Sequence, residues 1–176
     1  MRKIILTITV LFFLTGLQTA FGQDAATEYD KSEIHKVINK LYENLTFKKN
    51  YAPTLAKLKE IFYGRGLLIN NNTGEPKKYT LQEFSGIINK QVTAGKVLAF
   101  REKEVSCEIE IFGNIAHCFS TYESGYILAG REDYINKKGI NSIQLIKVAG
   151  KWKIVSIIWN EENEDLKIPK KYLGNK

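Results

Sequence analysis

The sequence predicts an α+β fold, with helices gathered on one face of an antiparallel sheet. Three observations carry that expectation. Residues 30–47 and 80–92 place apolar side chains three and four apart, the spacing of amphipathic helices. Glu104 to Glu162 instead holds paired runs of strand-forming residues about two short turn signals, Gly113-Asn114 and Ala149-Gly150. Helices first and strands afterwards is the order of an α+β domain rather than of alternating βα units.

The chain starts with Arg2 and Lys3, an apolar run from Ile4 to Leu17, and the small-x-small triplet Ala20-Phe21-Gly22. This pattern predicts a secretory signal peptide over residues 1–22, with export to the periplasm or the medium and no membrane span after cleavage. Residues 23–176 then form one domain, long enough to bury a single core. The formal charge of +7 is spread over separate lysine pairs, Lys48-Lys49, Lys77-Lys78, Lys137-Lys138 and Lys170-Lys171. Scattered pairs without an arginine-rich helix or a stacking platform read as solvated surface, not as a nucleic-acid interface.

The first helix is expected from Asp30 to Phe47, burying Ile34, Val37, Ile38, Leu41, Tyr42 and Leu45, with Asp30 or Ser32 as N-cap. Asn50 to Pro53 breaks it. A short helix over Thr54–Phe62 is expected to end at Gly64-Arg65-Gly66, followed by a short strand at Leu67-Leu68-Ile69 and a turn-rich connection to Lys78. Thr80 with Glu83 is a capping box, and opens a third helix that faces inward with Leu81, Phe84, Ile87, Ile88 and Val92. Ala94-Gly95 ends it.

Pairing Phe112 with Ile115 sorts the first hairpin into two faces. Val105, Cys107, Ile109, Ile111, Ala116, Cys118, Ser120 and Tyr122 share the side expected to meet the helices, and Glu108, Glu110, His117 and Phe119 share the wetter side. Cys107 and Cys118 then lie diagonally on one face. They are either a disulfide or two small buried thiols, and no spacing suits a metal site. Pairing Val148 with Lys151 puts Ile140, Ser142, Gln144, Val155, Ile157 and Trp159 together, and Asn141, Ile143, Leu145, Trp152, Ile154, Ser156 and Ile158 opposite. Both sides are largely apolar, which predicts a homodimer through the outer sheet face.

F-G-N-I-A-H-C-F-S-T-Y-E-S at Phe112–Ser124, G-I-N-S-I-Q-L at Gly139–Leu145, K-W-K-I-V-S-I-I-W-N-E-E at Lys151–Glu162 and I-P-K-K-Y-L at Ile168–Leu173 resemble the nuclear transport factor 2-like, or SnoaL-like, superfamily. The resemblance is to a bacterial group of small exported members. It implies a cone-shaped, cystatin-like α+β fold: three N-terminal helices on a curved antiparallel sheet, a pocket at the open end and frequent dimerisation. It does not imply a reaction, because the superfamily holds isomerases, dehydratases, cyclases and non-catalytic domains.

The enzymes of that superfamily need a base inside an apolar pocket. The residues expected to line a pocket here are Tyr42, Tyr122, Ser142, Gln144 and Trp159. The base is missing from this set: no aspartate occurs between Asp30 and Asp133, and His117 is expected to point outward, opposite Glu110. His117 is therefore the weak catalytic candidate, and His35 is expected to be merely exposed. Glu123, Glu161 and Glu162 read as solvated rim carboxylates. The sequence thus predicts an exported domain that binds a small hydrophobic or amphipathic molecule, or serves assembly, without a complete catalytic set or cofactor. The alternative is a cofactor-free lyase or isomerase acting on a small hydrophobic carbonyl or hydroxyl compound. A one-residue change of register on the first hairpin would decide between them by turning His117 inward, beside Tyr42 or Gln144.

Overall fold

The computed structural model describes residues 27–48 and 53–174. The expected signal peptide, the start of the expected domain and most of the Asn50–Pro53 break lie outside those residues. Helix α1 covers residues 27–45, followed by α2 (Leu55–Ile61), strands β1 (Phe62–Asn70) and β2 (Lys77–Tyr79), helix α3 (Leu81–Thr93), and strands β3 (Val97–Phe112), β4 (Ile115–Leu128), β5 (Ile135–Val148) and β6 (Lys151–Glu161). The six strands form one sheet in the order β2-β1-β6-β5-β4-β3. No helix among the described residues is long and apolar enough to cross a membrane.

Both long hairpins take the expected register, Phe112 opposite Ile115 and Val148 opposite Lys151. The sheet is mixed, however, because β1 runs parallel to β6. Among the described residues two helices precede it, and α3 follows β2. The Gly64-Arg65-Gly66 triplet does not separate helix from strand either. β1 begins at Phe62 and passes through it, with a break in register between Phe62 and Leu67. A β-carbon at Gly66 would lie 2.7 Å from a ring carbon of Phe62, and φ there is +59°, so glycine lets the strand kink over that ring.

The helices pack as their apolar spacing requires. Ile34, Ile38 and Leu41 of α1 are buried against Cys118, Ile143, Leu145, Trp152 and Ile154. Asp30 is not an N-cap, since the helix already runs at residue 27. Its carboxylate instead accepts from Lys147 Nζ (2.6 Å) and Trp152 Nε1 (3.0 Å), which ties α1 to the β5–β6 hairpin. The Lys147 ammonium holds that carboxyl below its usual range against the opposing effect of burial. Thr80 and Glu83 form the expected capping box: Thr80 Oγ1 accepts from Glu83 N at 3.2 Å, and Thr80 N donates to Glu83 Oε2 at 2.8 Å.

Cys107 and Cys118 are joined by a disulfide across β3 and β4, with Cα atoms 5.9 Å apart. The outer face of the sheet is partly covered by the chain's own C-terminal segment. The hydroxyls of Ser106 and Thr121 donate to the Tyr172 carbonyl, and the Tyr172 ring packs edge-on to Phe119 with centroids 4.9 Å apart. This intramolecular cover meets part of the apolar demand that suggested a second copy. Ile115 and Ile158 stay exposed.

Candidate functional site

Two β-bulges decide which side chains face the helices. Between Glu104 and Ser106 the β3–β4 register slips by one, so Val105 is extra on β3 and 37% exposed rather than inward. Strict alternation would leave Glu102 and Glu104 on the wet face with Glu108 and Glu110. The slip turns both glutamates inward. In β6, Val155 is the extra residue: Leu145 pairs with Ile154 but Gln144 with Ser156. Ile157, Trp159 and Glu161 therefore share the inner face with Asn141 and Ile143.

Inside these strands, α1 and α3 leave a cavity of about 280 Å³. Its walls are mostly apolar: Leu41 and Leu45 from α1, Phe84 and Ile88 from α3, and Phe100 and Ile157 from the sheet. Trp159 stacks edge-on to Phe84, with centroids 6.1 Å apart. Of the α3 residues expected to face inward, Leu81 is buried in the core, while Phe84, Ile87, Ile88 and Val92 face this space and Ile87 remains 45% exposed. The polar groups that reach the cavity are Glu102, Tyr122, Ser124, Tyr126, Asn141 and Glu161, with Gln91 on α3.

Glu102 is the unusual member. Burial pushes its carboxyl up to about 8, against a lowering hydrogen bond from Asn141 Nδ2 (3.4 Å) and with a further rise from the charge of Glu161. The Tyr122 hydroxyl is held far above the usual phenol range, mainly by burial and then by the charges of Glu102 and Glu161, so it stays a neutral donor. It makes no hydrogen bond among the described residues. Tyr122 lies opposite Gly139, where a β-carbon would stand 2.5 Å from the phenol oxygen and 2.6 Å from the Asn160 carbonyl. Only glycine leaves room for that ring.

Of the residues the sequence nominated, Tyr122 and Trp159 line the cavity. Tyr42 is buried just behind the wall, bonded to Ser120 (2.7 Å) and Asn141 (3.2 Å). Ser142 and Gln144 belong on the other side: they pair with Phe119 and His117 on the outer face. The Val155 bulge parts them from Trp159, which strict alternation had grouped with them. His117 points outward as expected, but its hydrogen bond is to Ser142 Oγ (3.0 Å) and not to Glu110. His35 is half exposed and has a partner, with Nδ1 3.3 Å from Glu104 Oε1.

Solved structures resemble this architecture closely. The Kfla4162 protein of Kribbella flavida matches with a TM-score of 0.64 at 13% identity, over 78% of this chain and 93% of that one. A nuclear transport factor 2-like superfamily protein of Salmonella enterica matches with a TM-score of 0.62 at 15% identity, over 78% and 94%. The chain has the nuclear transport factor 2-like fold. A hexachlorocyclohexane dehydrochlorinase of Novosphingobium barchaimii shares that fold, with a TM-score of 0.63 at 10% identity over 80% and 91%. No protein-family model matches the sequence, and no curated protein matches it significantly. The nuclear transport factor 2-like fold places a cavity between helices and sheet; what the cavity does rests on the residues in it.

Proposed function

We propose that the protein is a cofactor-free lyase or isomerase that moves a proton at a carbon of a small, hydrophobic carbonyl or hydroxyl compound. One observation carries this reading: the bulge at Val105 turns the Glu102 carboxyl into a mostly apolar cavity. A carboxylate that protonates at about 8 is a far stronger base than one in water, and it changes charge close to the pH at which the protein would work. In this reading ionised Glu102 takes the proton from carbon. The negative charge that develops on the substrate oxygen is met by the neutral Tyr122 hydroxyl, which has no competing partner among the described residues. Glu102 then returns the proton to a neighbouring carbon, or to a departing hydroxyl as it leaves. The apolar wall of Phe84, Ile88, Ile157 and Trp159 suits a ring or short alkyl body. We propose further that the chain acts after export, and that two copies associate through the part of the outer sheet face left open around Ile115 and Ile158.

The test is proton exchange followed by NMR in D₂O, using cyclic enones and hydroxylated aromatics with the protein and with Glu102→Gln. Exchange or turnover that rises through a midpoint near 8, and falls about 10²–10⁴-fold in Glu102→Gln, is the expected result. Tight binding of the same compounds without exchange in the unaltered protein would instead identify a binding domain.

A further inference from the structure

A line of polar contacts runs from the pocket carboxyl to the surface, and the reaction proposed above uses only its first member. Asn141 Nδ2 donates to Glu102 Oε1 (3.4 Å) and to Tyr42 Oη (3.2 Å). The Tyr42 and Ser120 hydroxyls are 2.7 Å apart, and Ser120 Oγ donates to Glu104 Oε2 at 3.5 Å. Glu104 Oε1 lies beside His35 Nδ1, which is half exposed. Tyr42, Ser120 and Asn141 are themselves buried, so their protons find partners along the line rather than in water.

We propose that this line is a two-state positioning device: Asn141 offers its N–H to Glu102 only while the Tyr42 and Ser120 protons point toward Glu104, so the His35–Glu104 pair favours the ionised form of the pocket carboxyl. The proposal rests on the reading of Glu102 as the pocket base. An amide nitrogen is a donor only. With it facing Tyr42, the single Tyr42 proton must go to Ser120, and the single Ser120 proton to Glu104, which accepts while ionised. If Glu104 gains a proton it becomes a donor, and the sequence reverses. Ser120 then donates to Tyr42, and Tyr42 needs an acceptor at Asn141. The amide provides one by turning over to present Oδ1. That turn also takes the N–H from Glu102 and sets a carbonyl against it, which suits only a protonated carboxyl.

The two carboxyls would therefore gain and lose protons together, the opposite of what repulsion between like charges produces. The other titratable groups around Glu102 are Glu161 on β6, Tyr122 and Tyr126 on β4, and Arg101, Lys103 and Glu123 at the rim. None of these makes a hydrogen bond to a member of the line among the described residues.

Ser120→Ala tests the device, because it removes one buried hydroxyl and no charge. Tyr42 then loses its acceptor on the Glu104 side, and its proton turns toward Asn141. The Glu102 midpoint, followed by carboxyl-¹³C NMR on the full chain without substrate, is expected to rise by about one pH unit or more, the worth of a hydrogen bond to a charged group. Adding Tyr42→Phe is expected to abolish the rise, since no phenol proton then competes for Asn141. Glu104→Leu gives a check of sign: loss of a negative neighbour alone would lower the Glu102 midpoint, whereas loss of the line's acceptor raises it. An unchanged midpoint in Ser120→Ala, a rise that persists in Ser120→Ala/Tyr42→Phe, or a fall in Glu104→Leu would overturn the proposal. Failure of the two readings is distinguishable. These shifts without any turnover would remove the reaction and leave the device, and Glu102-dependent turnover without the shifts would do the reverse.

Discussion

Replacing Glu102 with glutamine is expected to stabilise the fold, increasingly so as pH rises. The folded carboxyl protonates at about 8 and the unfolded one near 4.5. Between those values the folded chain holds a proton that the unfolded chain has lost, so stability falls as pH rises from 4.5 to 8 and stays low above. At about 1.36 kcal/mol per pH unit the full shift corresponds to roughly 5 kcal/mol. The carboxyl borders an open cavity, where water screens part of that penalty, and about 2–4 kcal/mol is the expected difference. Glutamine keeps the shape and an oxygen for Asn141 but carries no charge. Urea denaturation of both forms at pH 5, 7 and 9 provides the measurement. The two should have similar stability at pH 5, and Glu102→Gln should be the more stable at pH 9. A difference that does not change with pH, or a less stable Glu102→Gln at pH 9, would refute the assignment of Glu102 as a desolvated pocket carboxyl.

Gly139→Ala is expected to cost about 1–3 kcal/mol and to move the Tyr122 ring, read as a changed near-ultraviolet circular dichroism spectrum, because the new methyl meets both the phenol oxygen and the Asn160 carbonyl. Asp30→Asn is expected to cost about 1.5–3 kcal/mol at pH 7, the worth of hydrogen bonds to a charged group. With its folded value depressed, Asp30 stabilises above the unfolded value of 3.8, and that contribution is lost as pH falls through the lower folded value, so the gap between the two forms should close in acid denaturation curves. Reducing the Cys107–Cys118 bond closes off a sequence separation of 11 no longer, and is expected to cost about 2–3 kcal/mol in urea denaturation. The proposed pairing of two copies is checked by sedimentation: a dimer that Ile158→Lys converts to monomer is the expected result.

The parts of the fold legible in the sequence were those set by local periodicity. Both hairpin registers follow from a short turn between apolar runs, and the capping box from Thr80 and Glu83 alone. The parallel β1–β6 pairing joins segments nearly ninety residues apart, and no local pattern encodes it. The site was hidden by the two bulges, since one extra residue reverses every face beyond it. A trace of the first bulge is nevertheless present. Phe100, the last apolar residue before the charged run, falls on an even number, while Val105, Cys107, Ile109 and Ile111 put the apolar phase on odd ones. That change of phase between 100 and 105 requires a slip, and the slip carries Glu102 and Glu104 inward. Ser142 and Gln144 were misplaced for the same reason at Val155, where no change of phase gives warning because both faces of β6 are apolar.

The placement of those bulges also separates stability from chemistry within one sheet. Toward the hairpin turns, β3–β6 keep strict alternation, and there Ile143, Leu145, Trp152, Ile154 and the disulfide bury against α1, with Asp30 tying helix to sheet. Beyond the bulges the inner face carries a desolvated carboxyl, a phenol without a hydrogen-bond partner among the described residues and a tryptophan set against the part-exposed helix α3. Each of those features lowers the stability of the fold. A bulge is the device that lets one strand serve both ends, because it reverses the inward phase without breaking the strand. β3 is apolar inward where it supports the core and acidic inward where it meets the cavity. A strand without the slip would leave Glu102 in water with an ordinary pKa and the cavity without a base, so the extra residue at Val105 is as much a part of the proposed chemistry as the carboxyl it turns.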